Sequence, residues 1–230
     1  MAELTLKTRS PVAFDLFGSI ATTGRFVLVD QYDVCGGGII TTYTPTTKED
    51  KLRDEVRTRD FNWIKSDIKP EERAYRNGHR PVLILITGDP GSGKGPLART
   101  LEQNLFENNF QSYLLDRRNV NLGVSADLKQ PESTIEQESA RRLGEVAKLF
   151  LDAGHVVIST SNAFHREDQE DLKLLANPYQ VIEIQISSKT IGDPDILLSL
   201  DEAQNVKEAS TKIQNFLKEK KILTGHNYSI

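Results

Sequence analysis

Apolar and polar positions follow an alternating βα order over most of the 230-residue chain. The continuous apolar run Val82–Ile86 predicts a strand buried on both faces, as in a parallel sheet. Further strands are predicted at Ser112–Asp116, His155–Thr160 and Gln180–Ile186, and helices at about 70–76, 94–107, 133–152, 166–176 and 201–220. The order is typical of an α/β fold with a parallel sheet flanked by helices.

The first 45 or so residues have a different pattern. Arg25–Asp30 and Ile39–Tyr43 are rich in branched and aromatic residues, and Gly36–Gly38 are expected to break the chain between them. The pattern predicts about three strands, which are too few to bury a stable core alone. We therefore expect this segment to pack against the rest of the chain or against a partner. The charged residues 46–60 predict a solvated linker or a short exposed helix, and the α/β domain then spans 61–230.

Composition narrows the class of protein. With 37% hydrophobic and 27% charged residues and no apolar run long enough to cross a bilayer, we expect a cytoplasmic globular protein without a membrane partner. The formal charge of -4 gives no overall basic field for nucleic acid. Cys35 has no partner for an internal disulfide, and no metal site is predicted because the four histidines lack zinc-site spacing: His79, His155, His165 and His226.

A glycine-rich loop follows the buried strand directly and matches G-x-x-x-x-G-K, a phosphate-binding loop (P-loop). Its residues are Gly88, Asp89, Pro90, Gly91, Ser92, Gly93, Lys94 and Gly95. The glycines let backbone N–H groups converge on one anion, the helix start adds positive charge, and Lys94 can reach the outer phosphates. The alternative is a glycine-rich turn without a ligand. We therefore predict a P-loop NTPase-like fold that binds ATP or ADP.

The residue after the lysine departs from this motif. Gly95 stands where a Ser or Thr hydroxyl normally helps to hold Mg²⁺, and Pro96 supplies none either. Mg²⁺ binding is therefore expected to be weakened, and a metal held through water is the alternative.

Residues 61–221 resemble the adenylylsulfate (APS) kinases, P-loop enzymes that phosphorylate APS at its 3′-hydroxyl with ATP to make PAPS. The resemblance is carried by Asn62–Ser66, Glu71–Arg73, Asn77–His79, Leu115-Asp116, Asn119-Val120, Arg141–Phe150, Asp152–Gly154 and Val156–Ile158. Residues 7–42 are similar to the end of a translation-factor-type β-barrel, the last barrel of the GTPase subunit of ATP sulfurylase. In fused bacterial sulfate-activation proteins that barrel precedes an APS kinase domain, which implies a fragment or shortened descendant with sulfate-activation subunits as partners.

The resemblance also identifies losses. The family's Asp-Gly-Asp-Asn reads Asp116-Arg117-Arg118-Asn119 here, and a cation at Arg118 can neither accept a proton nor coordinate Mg²⁺. Two APS-binding arginines align with Asn121 and Glu136, and an APS-binding asparagine aligns with Ser139.

Two further family segments have changed. The Phe-Ile-Ser-Pro segment reads Ser161–Phe164, and the basic lid expected between Ile186 and Asp193 is missing. These departures together imply that the APS site is dismantled.

Three hypotheses remain open. The first is a degenerate domain that binds nucleotide as a structural or regulatory module, with Arg117, Arg118 and Arg166 either contacting an anion or simply solvated. The second is an active ATP-dependent phosphotransferase that uses Lys94 for phosphate charge and Asp116 for metal or as a base, unless Asp116 is a structural acceptor. The third is an interaction module in which the β segment joins a partner or a second copy in a homo-oligomer.

Overall fold

A computed structural model describes residues 3–6, 8, 12–43, 48–128, 132–162, 166–188 and 192–225, without the side chains of residues 48, 49, 132–137, 162 and 166–169. The chain divides into two compact units, Met1–Lys51 and Leu52–Ile230. Each unit has its own architecture.

The first unit contains an antiparallel ribbon of two strands, β1 (Arg25–Asp30) and β2 (Asp33–Ile39). The prediction for β1 is confirmed, whereas the second strand lies earlier than the expected 39–43 and includes the three glycines. The reason is that Phe26 of β1 lies directly opposite Gly38 of β2 and leaves no room there for a side chain. A Cβ on Gly37 would lie 2.9 Å from the Phe26 carbonyl oxygen, and one on Gly38 would lie 2.7 Å from its ring. The glycines therefore permit the pairing of the two strands, where they were expected to interrupt it.

The second unit is an α/β domain, entered through a helix that begins just before it. The helices are α1 (Lys48–Phe61), α2 (Pro70–Asn77), α3 (Lys94–Glu107), α4 (Arg117–Leu122), α5 (Glu132–Asp152), α6 (Arg166–Ala176), α7 (Leu200–Gln204) and α8 (Val206–Glu219). The strands are β3 (Val82–Gly88), β4 (Ser112–Leu114), β5 (Val156–Asn162), β6 (Gln180–Ile186) and β7 (Ile196–Leu198). The α/β prediction is confirmed.

These five strands form one parallel sheet in the order β4-β5-β3-β6-β7. All seven residues of β3 are buried, as its continuous apolar run predicted. Because successive side chains of a strand point to opposite faces, β3 supplies two cores. Val82, Ile84 and Ile86 pack with α3 and α8, and Leu83 and Leu85 pack with α5 and α6.

The charged stretch before the sheet is helical, which was one of the two alternatives expected for it. It forms α1, whose Leu52 and Val56 are buried with Leu175 of α6. The two apolar residues are four positions apart and therefore share one face of the helix. Of the two expected alternatives, the stretch is thus the largely exposed helix, with two apolar residues buried against α6.

Two smaller differences concern helix boundaries. The predicted helix at 201–220 is divided into α7 and α8 at Asn205, whose ψ of 70° is not helical, and Ser199 and Glu202 form a capping box at the start of α7. Helix α4 was not predicted, and Asp116 begins it as N-cap. Within the described ranges, no helix combines the length and apolar character that crossing a bilayer demands.

Candidate functional site

The glycine-rich loop lies at the carboxyl end of the central strand of the sheet. Gly88 ends β3, Gly93 is the N-cap of α3, and Lys94 is the first residue of that helix. Strands β5 and β6 flank β3 on either side. In parallel sheets this edge is where ligands bind, and the start of the helix directs its free N–H groups toward it.

The loop needs its glycines for two different reasons. Gly91 and Gly93 have φ angles of 83° and 91°, in the left-handed region that favours glycine. Gly88 instead lacks space: a Cβ there would lie 2.6 Å from the Ser92 Oγ and 2.9 Å from the Ile186 carbonyl oxygen. The buried Ser92 Oγ has no hydrogen-bond partner among the described residues. The loop backbone therefore has the glycine conformations that a phosphate-binding loop needs, and it packs closely against the end of β6.

Lys94 is folded over the loop. Its Nζ donates hydrogen bonds to the carbonyl oxygens of Gly88, at 2.5 Å, and Asp89, at 2.7 Å. Burial lowers the pKa of Lys94, and the neighbouring Asp89 charge opposes that shift. The ammonium group thus lies where it can exchange carbonyl partners for phosphate oxygens.

Asp116 is engaged by a residue of its own sequence motif. Its Oδ1 accepts a hydrogen bond from the Arg118 backbone N–H at 2.8 Å, and Arg118 Nε and Nη2 donate to Oδ1 and Oδ2 at 3.1 and 2.7 Å. The hydrogen bond from Arg118 holds the pKa of Asp116 below its usual range, and the charge of Arg99 acts in the same direction. Asp116 is therefore a helix cap and ion-pair partner with reduced basicity.

The two adjacent arginines have different surroundings. Arg118 is largely exposed and bound to Asp116, whereas Arg117 turns toward a small cavity beside Ser159 and Ser161 at the end of β5. Arg166 begins α6, but its side chain lies outside the described part of the structure, as does that of Glu136. Contact of Arg117, Arg118 and Arg166 with an anion stays a prediction.

Two positions that resemble APS-binding sites are bonded to each other. The Ser139 Oγ donates a hydrogen bond to the Asn121 Oδ1, and Ser139 is fully buried. Nearby, Arg142 donates to the Val124 carbonyl oxygen at 2.8 Å and to both carboxylate oxygens of Asp127. These bonds tie the chain after α4 to α5. Polar side chains at this edge of the sheet therefore hydrogen-bond to one another.

One charged residue near the loop was not identified from the sequence. Arg99 lies one helical turn after Gly95 in α3, and its guanidinium nitrogens lie 3.6 and 3.9 Å from where a Cβ on Gly95 would be. The sequence signal that could have identified Arg99 is its spacing of four residues from Gly95, which puts both positions on one face of the helix. Arg99 belongs to the site by position.

The residues present fit a phosphate group but not the usual Mg²⁺. The loop, Lys94 and the start of α3 provide the donors that a phosphate needs. Gly95 offers no hydroxyl, both oxygens of Asp116 are held by Arg118, and Arg99 adds positive charge. Across the described ranges, no group of three or more His, Cys, Asp or Glu side chains is placed to hold a metal ion.

The parallel sheet and the Gly88–Gly95 loop define a P-loop domain of the kinase type. Residues 80–192 match the sequence profile of the family described as adenylylsulphate kinase. This segment belongs to that family. The predicted family resemblance is confirmed.

Curated relatives support the same assignment. The adenylyl-sulfate kinase of Geotalea daltonii is 41% identical over 127 residues, which are 55% of this chain and 62% of that protein. The chain thus spans about three fifths of the length of that relative. The bifunctional enzyme NodQ of Rhizobium sp. is 35% identical over 175 residues, 75% of this chain and 25% of that protein.

Solved structures show the same fold. A mutant APS kinase of Mycobacterium tuberculosis superposes with a TM-score of 0.55 at 27% identity, covering 60% of this chain and 99% of the other. The complex of that enzyme with AMPPNP and APS has a TM-score of 0.52 at 23% identity, covering 61% and 99%.

Proposed function

We propose that this chain binds ATP or ADP through Gly88–Gly95 and has little APS kinase activity, serving as a structural or regulatory module of sulfate activation. Lys94 and the loop N–H groups bind the phosphates. The closely packed loop and the likeness to an enzyme solved with AMPPNP support the nucleotide part of the proposal. The likeness to the bifunctional NodQ supports an origin in a fused sulfate-activation protein.

The observation that carries the proposal is the ion pair between Asp116 and Arg118. A base or metal ligand uses a carboxylate lone pair, and the two oxygens of Asp116 already accept three hydrogen bonds from Arg118, which compete with a proton or a metal for them. The lowered pKa of Asp116 also makes it a weaker base. The acid of the family motif has become the cation that neutralises its neighbour, so the acceptor hydroxyl has no base at this position.

Calorimetry tests the proposal directly. The purified chain is titrated with ATP, ADP, APS and PAPS, with and without Mg²⁺, and APS phosphorylation is assayed in parallel. We expect nucleotide binding that Lys94→Ala abolishes and Lys218→Ala, an exposed lysine on α8, leaves unchanged. Turnover of APS that depends on Lys94 would overturn the inactive assignment and favour the alternative, an ATP-dependent phosphotransferase that uses Lys94 and Asp116.

A second candidate function is partner binding through the β ribbon. Val27 and Val29 of β1 and Val34 of β2 are 65%, 59% and 69% exposed. An isolated two-stranded ribbon is marginally stable, and its unpaired edges can accept another strand. We propose that a sulfate-activation subunit or a second copy of the chain covers these side chains.

Light scattering over a concentration series distinguishes the two occupants of the ribbon. A mass that rises with concentration and returns to the monomer value in Val29→Lys indicates a second copy. A constant monomer mass together with binding of a purified ATP sulfurylase subunit indicates the other partner. A monomer that binds neither would refute the interaction module.

A further inference from the structure

The point where a P-loop usually places a hydroxyl lies next to a guanidinium here. In the described part of the chain, the side-chain atoms within 4 Å of a Cβ on Gly95 are the two terminal nitrogens of Arg99, at 3.6 and 3.9 Å. The side chain of a helical residue points back toward the helix N-terminus, so Arg99 reaches the turn that begins at Lys94. The positive group therefore lies beside the phosphate loop.

Within the described ranges, the Arg99 side chain forms no hydrogen bond or ion pair. Its charge interacts with that of Asp116, but the Asp116 carboxylate is hydrogen-bonded to Arg118. A cation near a helix N-terminus is disfavoured by the helix dipole, and Lys94 adds a second positive charge. An anion at the loop relieves both repulsions, because it carries the opposite charge.

The same arrangement disfavours a divalent cation. The hydroxyl ligand is missing at Gly95, the carboxylate oxygens of Asp116 are engaged, and a bound Mg²⁺ would lie close to the Arg99 guanidinium. Like charges at such short range repel, whereas a guanidinium and a phosphate form charge-assisted hydrogen bonds.

From this geometry we propose that the loop binds the phosphates of ADP or ATP without Mg²⁺, and that the Arg99 guanidinium supplies the positive charge that the metal supplies in other P-loops. The inference rests on the proposed nucleotide binding and adds a residue and a metal requirement to it.

The test compares ADP binding in EDTA and in excess MgCl₂ by calorimetry at low salt. The wild-type chain is expected to bind ADP at least as tightly in EDTA. Arg99→Ala should weaken binding in EDTA by about 10- to 100-fold, the range for one charge-assisted hydrogen-bond group. Arg99→Lys should lose less, because it keeps the charge but not the forked donor. Arg76→Ala, an exposed arginine at the end of α2, is the matched control and should bind like the wild type.

A double variant tests the exchange of metal for arginine. Gly95 has room for a side chain beside Arg99, so Gly95→Ser combined with Arg99→Ala restores the hydroxyl and removes the competing charge. We expect Mg²⁺ to tighten ADP binding by this variant about 10-fold or more, since it again has a ligand and lacks a repelling neighbour. Circular dichroism confirms that each variant is folded.

The outcomes separate the two proposals. Wild-type binding that requires Mg²⁺, or Arg99→Ala that binds like the wild type in EDTA, overturns the role of Arg99 while nucleotide binding stands. No ADP binding by the folded wild-type chain in either buffer, or equal binding by Lys94→Ala, overturns the nucleotide-binding function and this inference with it.

Discussion

The P-loop domain has two regions whose chemistry differs sharply. The phosphate region, residues 88–107, keeps its glycines, its lysine and a helix that starts at the loop. The acceptor region, residues 116–128 with 138–142, has its charged and polar groups bonded to one another, as in Asp116 with Arg118 and Ser139 with Asn121. Among the described residues of the first region, Lys94 bonds only backbone carbonyl oxygens of the loop, whereas in the second region side chains bond one another.

Under the proposed function, this difference separates the residues that bind nucleotide from those whose catalytic chemistry is lost. The phosphate region depends on backbone geometry, which α3 and the close contact with β6 enforce. The acceptor region depends on individual side chains, and a few replacements suffice to pair them with each other. Binding and catalysis therefore have separate structural requirements within one P-loop domain.

The largest effect is expected at the packed glycine of the phosphate region. Gly88→Ala places a Cβ 2.6 Å from the Ser92 Oγ and 2.9 Å from the Ile186 carbonyl oxygen, so β6 or the loop must move. We expect a loss of about 3 kcal/mol in the free energy of unfolding and loss of ADP binding. Urea denaturation and calorimetry measure both.

Gly91→Ala is the control for this prediction. No atom lies within 4 Å of its Cβ position, and the cost comes from the φ of 83° alone, about 1–2 kcal/mol. Equal losses for the two variants would show that close packing at Gly88 is not what fixes the loop.

The second effect concerns acid stability in the acceptor region. The hydrogen bond from Arg141, with a further contribution from Arg142, lowers the pKa of Glu138 from 4.5 to about 2. The carboxylate therefore stabilises the folded state fully above pH 4.5, and this contribution is lost as the pH falls from 4.5 toward 2. Since Glu138 is 30% exposed, we expect about 1–2 kcal/mol after screening by solvent.

Glu138→Gln checks this contribution. Its free energy of unfolding should vary less with pH than that of the wild type between pH 4.5 and 2. If urea denaturation gives parallel pH profiles for the two proteins, the Glu138 network does not stabilise the acceptor region.

A smaller effect compares two buried serines, one in the acceptor region and one on α8 that accepts a hydrogen bond from the phosphate region. Ser139→Ala breaks the bond to the exposed Asn121, whose amide can turn to water, and should cost about 0.5–1 kcal/mol. Ser210→Ala breaks the 2.8 Å bond from Asn104 of α3, which is partly buried, and should cost about 1–1.5 kcal/mol. A larger loss at Ser139, measured by urea denaturation, would contradict an acceptor region held by easily replaced bonds.

The smallest effect on stability is expected from Arg118→Ala. The side chain is exposed, so the midpoint of urea denaturation should not change measurably. The pKa of Asp116 should rise toward its usual value, because the Arg118 hydrogen bond is the main cause of its lowering. Carboxyl NMR titration detects this shift, and an unchanged pKa would show that Arg118 does not hold Asp116. ADP binding should be retained.

Much of this molecule could be read from local sequence patterns. The apolar run at Val82–Ile86 predicted a buried central strand, and the glycine and lysine spacing after it predicted the phosphate loop. Both depend on contacts between residues close in the chain, where periodicity and backbone freedom are directly visible. The glycines of β2 were misread because their effect depends on Phe26 in another strand.

The sequence by itself thus determined the α/β order, the loop and the replacement of an acid by Arg118. Only the tertiary structure decided which partner each side chain meets: that Arg118 binds Asp116, that Ser139 bonds Asn121, and that Leu52 and Val56 make a core with Leu175. The physical reason is that hydrogen bonds and burial depend on distances of a few ångströms between separate elements, and the packing of those elements fixes these distances.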